Sequence, residues 1–188
     1  MNKLLTVLIA TIAFSQASAS IEIRIFPDGT GFKVTADGTV NTTELNHVGT
    51  LPLETFIHAD FGTFGIGTNN NDMEIYEGLT GPSNFGPGGI FDDYPDSSGN
   101  GFAIELASDL YMLLPRFYQS GAPLSAVNTY PFNNMSELGV TPGVYTWNWG
   151  TGANADFARL TVVPEPSFYS IIAGLAILGV VAHRRLRK

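Results

Sequence analysis

The sequence predicts an all-β protein: an antiparallel β-sandwich framed by an N-terminal signal helix and a C-terminal transmembrane helix. Three observations predict it. Short segments alternate apolar and polar side chains with a period of two. Glycine, 21 residues, and proline, 11 residues, separate them as turn formers. No stretch ahead of the tail reads as a convincing long helix. Many short strands with Gly/Pro turns pack as two sheets, and a jelly-roll connectivity is one arrangement that fits.

Residues 1–19 read as a secretory signal peptide. Lys3 supplies the positive charge, residues 4–14 are mainly apolar, and Ala17-Ser18-Ala19 forms an A-x-A cleavage site before Ser20. Residues 21–25, Ile-Glu-Ile-Arg-Ile, alternate as a half-buried strand should. Residues 27–31 form a turn and residues 32–36 return as a second strand. Asp37-Gly38 then reads as a further turn, because Asp-Gly supplies the positive φ of a tight hairpin.

Residues 56–67 mix phenylalanine with glycine, which favours short strands with bulges over a helix. Residues 73–76 make another strand, and residues 78–101 read as one long loop. Residues 101–114 fit one helical face through Ile104, Ala107, Tyr111 and Leu114 and alternate equally well through Phe102, Ile104 and Leu106; the neighbouring strands favour a hairpin turning at Ala107-Ser108-Asp109. Residues 133–138 make one helical turn, with Asn133 as cap and Gly139 as stop. Residues 143–149 are the clearest strand, with Tyr145, Trp147 and Trp149 on one face. Residues 150–156 turn the chain and residues 157–163 return. An exported domain of residues 20–163 results, long enough to bury a core without its absent cysteines.

Residues 168–182 are uncharged and mostly apolar. As a helix they rise about 22 Å, and flanking residues extend them toward the ~30 Å of a hydrocarbon core. Arg184, Arg185, Arg187 and Lys188 follow, which orients the C-terminus to the cytoplasm and the acidic domain outward. The order of parts, Val163-Pro164-Glu165-Pro166, a short apolar helix and this basic cluster, resembles the PEP-CTERM sorting signal over residues 164–188. The resemblance implies a bacterial exported protein. It passes an inner-membrane intermediate and is handled by signal peptidase and by the membrane protease-transpeptidase exosortase. Its destination is the cell surface or an exopolysaccharide-rich matrix. Residues 139–162 also resemble the closing hairpin of many PEP-CTERM proteins, roughly Gly-x-Tyr-x-Trp-x-Trp-Gly-x-Gly-Ala-x-Ala-Asp; Phe157 and Ala158 depart from the polar residues expected next. A plain single-span anchor accounts for the tail in the alternative reading.

All 17 acidic residues lie between Glu22 and Glu165, a span holding four basic ones: Arg24, Lys33, Arg116 and Arg159. The resulting net charge of −13 repels nucleic acid and anionic lipid. The chemistry-bearing patterns are few. Gly81-Pro82-Ser83-Asn84-Phe85-Gly86 is one residue too long for a nucleophile elbow. His47 and His58 lack metalloenzyme spacing. A glycosidase pair needs two carboxyls ~5–10 Å apart, which linear spacing does not encode.

Asp96, Ser98 and Asn100 alternate before Gly101 like the first half of a calcium loop, with Asp92, Asp93 or Glu105 to stand in for the missing bidentate acid. Calcium is the one candidate cofactor. Tyr145, Trp147 and Trp149 are a candidate carbohydrate platform, although alternating aromatics on a strand are more often core. The expected function is a non-catalytic structural or polysaccharide-associated module of the extracellular matrix; a surface hydrolase acting on polysaccharide is the alternative.

Overall fold

The computed structural model describes residues 20–29, 31–68, 72–88, 90–91, 95–131 and 135–164, with isolated positions in the tail. The signal segment 1–19 lies outside them. Thirteen strands are described: β1 Ser20–Asp28, β2 Gly31–Thr39, β3 Asn46–Leu51, β4 Phe56–His58, β5 Thr63–Ile66, β6 Met73–Glu77 and β7 Ile90–Phe91. There follow β8 Asp96–Gly99, β9 Phe102–Leu106, β10 Leu110–Pro115, β11 Pro123–Tyr130, β12 Gly143–Trp149 and β13 Asp156–Val162. They form two sheets, in the order β12-β13-β1-β2-β11-β8 and β3-β6-β10-β9-β5-β4-β7. The fold is all-β and sandwich-like.

Alternation builds the first sheet. Ile21, Ile23 and Ile25 of β1 point inward and are fully buried, while Arg24 is exposed. Phe32, Val34 and Ala36 continue the inner face on β2, and Ala158, Leu160 and Val162 on β13. Each buried aliphatic side chain contributes roughly 1.5–3 kcal/mol. The second sheet answers with Ile57, Phe64, Ile66, Phe102, Ile104 and Met112 in the same core cluster. Phe64 sits at the centre of an aromatic contact, its ring 5.6 Å from Trp147 across the core.

Three expectations are corrected. The sandwich is not wholly antiparallel: β1 pairs with β13 in parallel, from Ser20–Phe157 to Ile25–Val162. Asp37-Gly38 does not turn the chain, because β2 runs through it to Thr39. Gly38 has φ +148°, and a Cβ there would lie 2.0 Å from the Ser20 carbonyl oxygen, so glycine admits the close approach of β1. Residues 78–101 are not one loop; β7 and β8 form within them and attach to opposite sheets. The 101–114 hairpin is present as β9 and β10, and Met135–Leu138 is a 3-10 turn ended by Gly139 at φ +58°. The proposed cap Asn133 lies outside the described residues.

One buried polar side chain joins the sheets. Asn128 on β11 is fully buried. Its carbonyl oxygen accepts the Gly67 N–H at 2.9 Å and the Ser97 hydroxyl at 3.0 Å; its amide donates to the Gly65 carbonyl at 3.3 Å. It therefore ties β11 and β8 of one sheet to the end of β5 in the other. A satisfied buried amide holds position; a half-satisfied one costs about 1–3 kcal/mol per orphaned group. Replacing Asn128 by Ala is expected to destabilise the protein by about 2 kcal/mol or more and to lower Tm by roughly 5 °C or more. Thermal melting checks this, and a Tm within about a degree of the parent would contradict the role.

Candidate functional site

The aromatic face of β12 turns into the core. Trp147 is fully buried, Trp149 is 3 % exposed and Tyr145 is half-buried. The Tyr145 hydroxyl donates to the Thr141 carbonyl at 2.9 Å, and its ring lies 6.0 Å from that of Phe85. Val144 and Asn148 take the outward positions. The indoles of this strand serve packing and leave no open ring face for a sugar.

The residues of the hairpin pattern after Trp149 form a knot at one end of the first sheet. The Trp149 indole N–H donates to the Asn41 carbonyl at 2.8 Å. Asp156, 4 % exposed, accepts the Asn41 N–H and the Phe157 N–H, both at 2.7 Å. The Asn41 side chain in turn accepts the Thr43 hydroxyl at 2.6 Å and the Ser120 hydroxyl at 3.2 Å. Glu44 receives the Asn154 amide and the Thr151 hydroxyl, each at 3.0 Å, and these bonds hold its carboxyl below the usual range. The Asp of the pattern thus anchors the segment after β2.

Among the described residues, the calcium candidates are not gathered around one point. Asp96 and Ser98 belong to β8, an edge strand paired with β11, and both are exposed. Alternate positions on a strand stand about 7 Å apart along one face, whereas a cation needs oxygens aimed at a common point. The Asn100 side chain is engaged by the Ser125 N–H at 3.0 Å. Asp92 and Asp93 lie outside the described residues. Among the described residues, no group of three His, Asp or Glu side chains is placed to hold a metal ion.

A cleft of about 330 Å³ opens on the outer face of the second sheet. Its walls are Leu51 at the end of β3, Pro52 and Glu54 from the segment after it, Phe56 and His58 of β4, Thr63 of β5, and Glu105 and Leu106 of β9. Strand alternation explains the outward set: Ile57 and Phe64 face the core, so their neighbours face away. The β4–β5 register sets His58 opposite Thr63, and β5 lies beside β9. Burial, and next the charge of Glu54, push the Glu105 carboxyl above its usual range, while His58 pulls it down. The sequence reading singled out His58 and Glu105 separately and did not bring them together. The available signal was the polar His58 next to the inward Ile57.

Of the sorting residues, Val163 and Pro164 are described; Glu165, Pro166, Arg184, Arg187 and Lys188 lie outside the described residues, and Arg185 is an isolated helical position. The Val163 N–H donates to the Ile25 carbonyl at 2.9 Å, so the chain leaves beside the end of β1. Val163 and Pro164 line a recess with Arg24, Phe26 and Pro27. Among the described residues no helix is long and apolar enough to cross a membrane; most of residues 168–182 lies outside them. No protein-family model, curated protein or solved structure matches the chain.

Asp156 generates a pH prediction. Burial raises its carboxyl above the ordinary 3.8, against the opposing bonds from Asn41 and Phe157. The folded state therefore keeps this proton to higher pH than the unfolded state, and stability falls as pH rises from about 3.8 to the elevated folded value. The Tm of Asp156→Asn minus that of the parent is expected to rise across this window. A pH-independent difference in parallel melting series would contradict the assignment.

Proposed function

We propose that this chain is an exported bacterial surface or extracellular-matrix protein, sorted through a PEP-CTERM-like signal, and that its domain is a non-catalytic structural or polysaccharide-associated module. The observation that carries the reading is the order of parts after Val163: Pro164-Glu165-Pro166, an apolar stretch at 168–182 and the cluster Arg184, Arg185, Arg187 and Lys188. In this reading residues 1–19 form the signal helix that signal peptidase removes, and residues 168–182 form the membrane helix of an intermediate that exosortase processes. Support comes from the placement of the domain. β13 ends at Val162, just ahead of the Pro-Glu-Pro. The aromatic hairpin supports a module as well, since the Trp149 indole N–H and the Asp156 carboxylate are both engaged by Asn41.

A second reading, a surface-anchored hydrolase, is favoured by the two carboxylates of the outer cleft, one of which burial holds toward its acid form. A plain single-span anchor is the competing account of the tail. Mass spectrometry of the surface-extracted protein separates the sorting accounts. The sorted protein is expected to end near residues 164–166 and to lack the arginine cluster; a population ending in Lys188 would overturn exosortase processing in favour of the plain anchor.

A further inference from the structure

We propose that the cleft between the 52–55 segment and the outer faces of β4, β5 and β9 binds an amino-sugar unit of a polysaccharide, a pyranose ring bearing a primary ammonium. The proposal rests on the reading of the domain as a polysaccharide-associated module and names its site and ligand class.

The recess is built. Leu53 is 2 % exposed and packs with Met73, Ala103 and Leu113 on the outer face of the second sheet. The segment carrying Glu54 is thereby pinned over the strands. Gly65 makes the approach possible: a Cβ there would lie 2.2 Å from the Glu54 carbonyl oxygen. The volume of about 330 Å³ falls in the range of small-molecule sites.

Its chemistry selects a cation that also donates and accepts hydrogen bonds. Glu54 and Glu105 line one cleft, with His58 the only basic side chain in its walls among the described residues. A cation between two carboxylates relieves their mutual repulsion. A metal ion is disfavoured, because no three ligating side chains converge here among the described residues. An organic ammonium needs no such convergence and makes charge-assisted bonds to each acid.

Two further walls point to a ring with hydroxyls. Thr63 is 4 % exposed, lies on the outward face of β5 and lines the cleft. A hydroxyl in a cleft wall can donate to or accept from a ligand hydroxyl. Phe56 is half-buried beside it, its ring 4.9 Å from that of His58, and offers an apolar surface to the C–H face of a pyranose. A simple alkylammonium would use the acids and leave Thr63 and Phe56 idle.

The test uses the full chain in detergent, applied to immobilised glucosamine oligomers, N-acetylglucosamine oligomers, neutral glucans and lysine oligomers. Glucosamine oligomers are expected to be retained, with affinity falling about tenfold in each of Glu54→Gln, Glu105→Gln and Thr63→Val at unchanged Tm. Equal, cleft-dependent retention of lysine oligomers would overturn the sugar assignment, leaving only ammonium recognition. Retention of N-acetylated or neutral glycans that the three substitutions do not affect would overturn the cleft while the polysaccharide reading stands. Retention of no glycan would overturn both.

Discussion

The parallel pairing of β1 with β13 is the constraint on which the first sheet depends. Six residue pairs, from Ser20–Phe157 to Ile25–Val162, join the first strand of the domain to the last. Both strands are interior: β12 flanks β13 and β2 flanks β1. Their inward rows, three isoleucines against Ala158, Leu160 and Val162, supply the middle of that wall of the core. Without β13, β1 becomes an unpaired edge and β12 has no sheet to join. A chain whose central ladder spans its whole length must also wait for its last strand before the core closes, which is the topology of a slow folder.

Around that ladder, two polar devices fix what packing alone would leave loose. Asn128 holds the sheets in register through β5 and β8, and the Asn41–Trp149–Asp156 knot secures the crossing from β2 toward the second sheet. Ion pairs contribute less. Lys33–Asp28 at 2.8 Å and Arg159–Glu22 at 3.1 Å are partly or well exposed, where such pairs are worth about 0–1 kcal/mol. The acidic excess thus sits mainly at the surface, while cohesion comes from apolar burial. Glu54 and Glu105, the two carboxylates of the outer cleft, belong to the same excess.

Legibility in the sequence followed the strength of alternation. β1 and β12 carry large apolar residues every second position and are readable directly; the β9–β10 stretch fits a helical face equally well, and only its neighbours favour the hairpin. β11 is not, because its inward row is Leu124, Ala126, Asn128 and Tyr130, where a small residue and a buried amide interrupt the apolar signal. β3 is exposed along nearly its whole length and has no inward row to read. β8, Asp-Ser-Ser-Gly, looks like a loop because its pairing with β11 comes from the neighbouring strand rather than from its own propensity. The Asp-Gly at 37–38 carries a genuine turn signal that tertiary contact with Ser20 overrides. The buried role of Trp147 was legible as the commoner fate of a strand aromatic. The cleft was not legible, since Glu54, His58, Thr63 and Glu105 meet only through the register of three strands and the fold of one short segment.

Native-state amide hydrogen exchange read by mass spectrometry tests the central ladder most directly. If the two ends of the domain close it together, peptides covering residues 21–25 and 158–162 should exchange as one slow group, at the rate of global unfolding and in step with β2. Fast exchange in residues 158–162, with residues 21–25 and the rest of the first sheet still protected, would contradict the account. The last strand would then be an accessory to a sheet that stands without it.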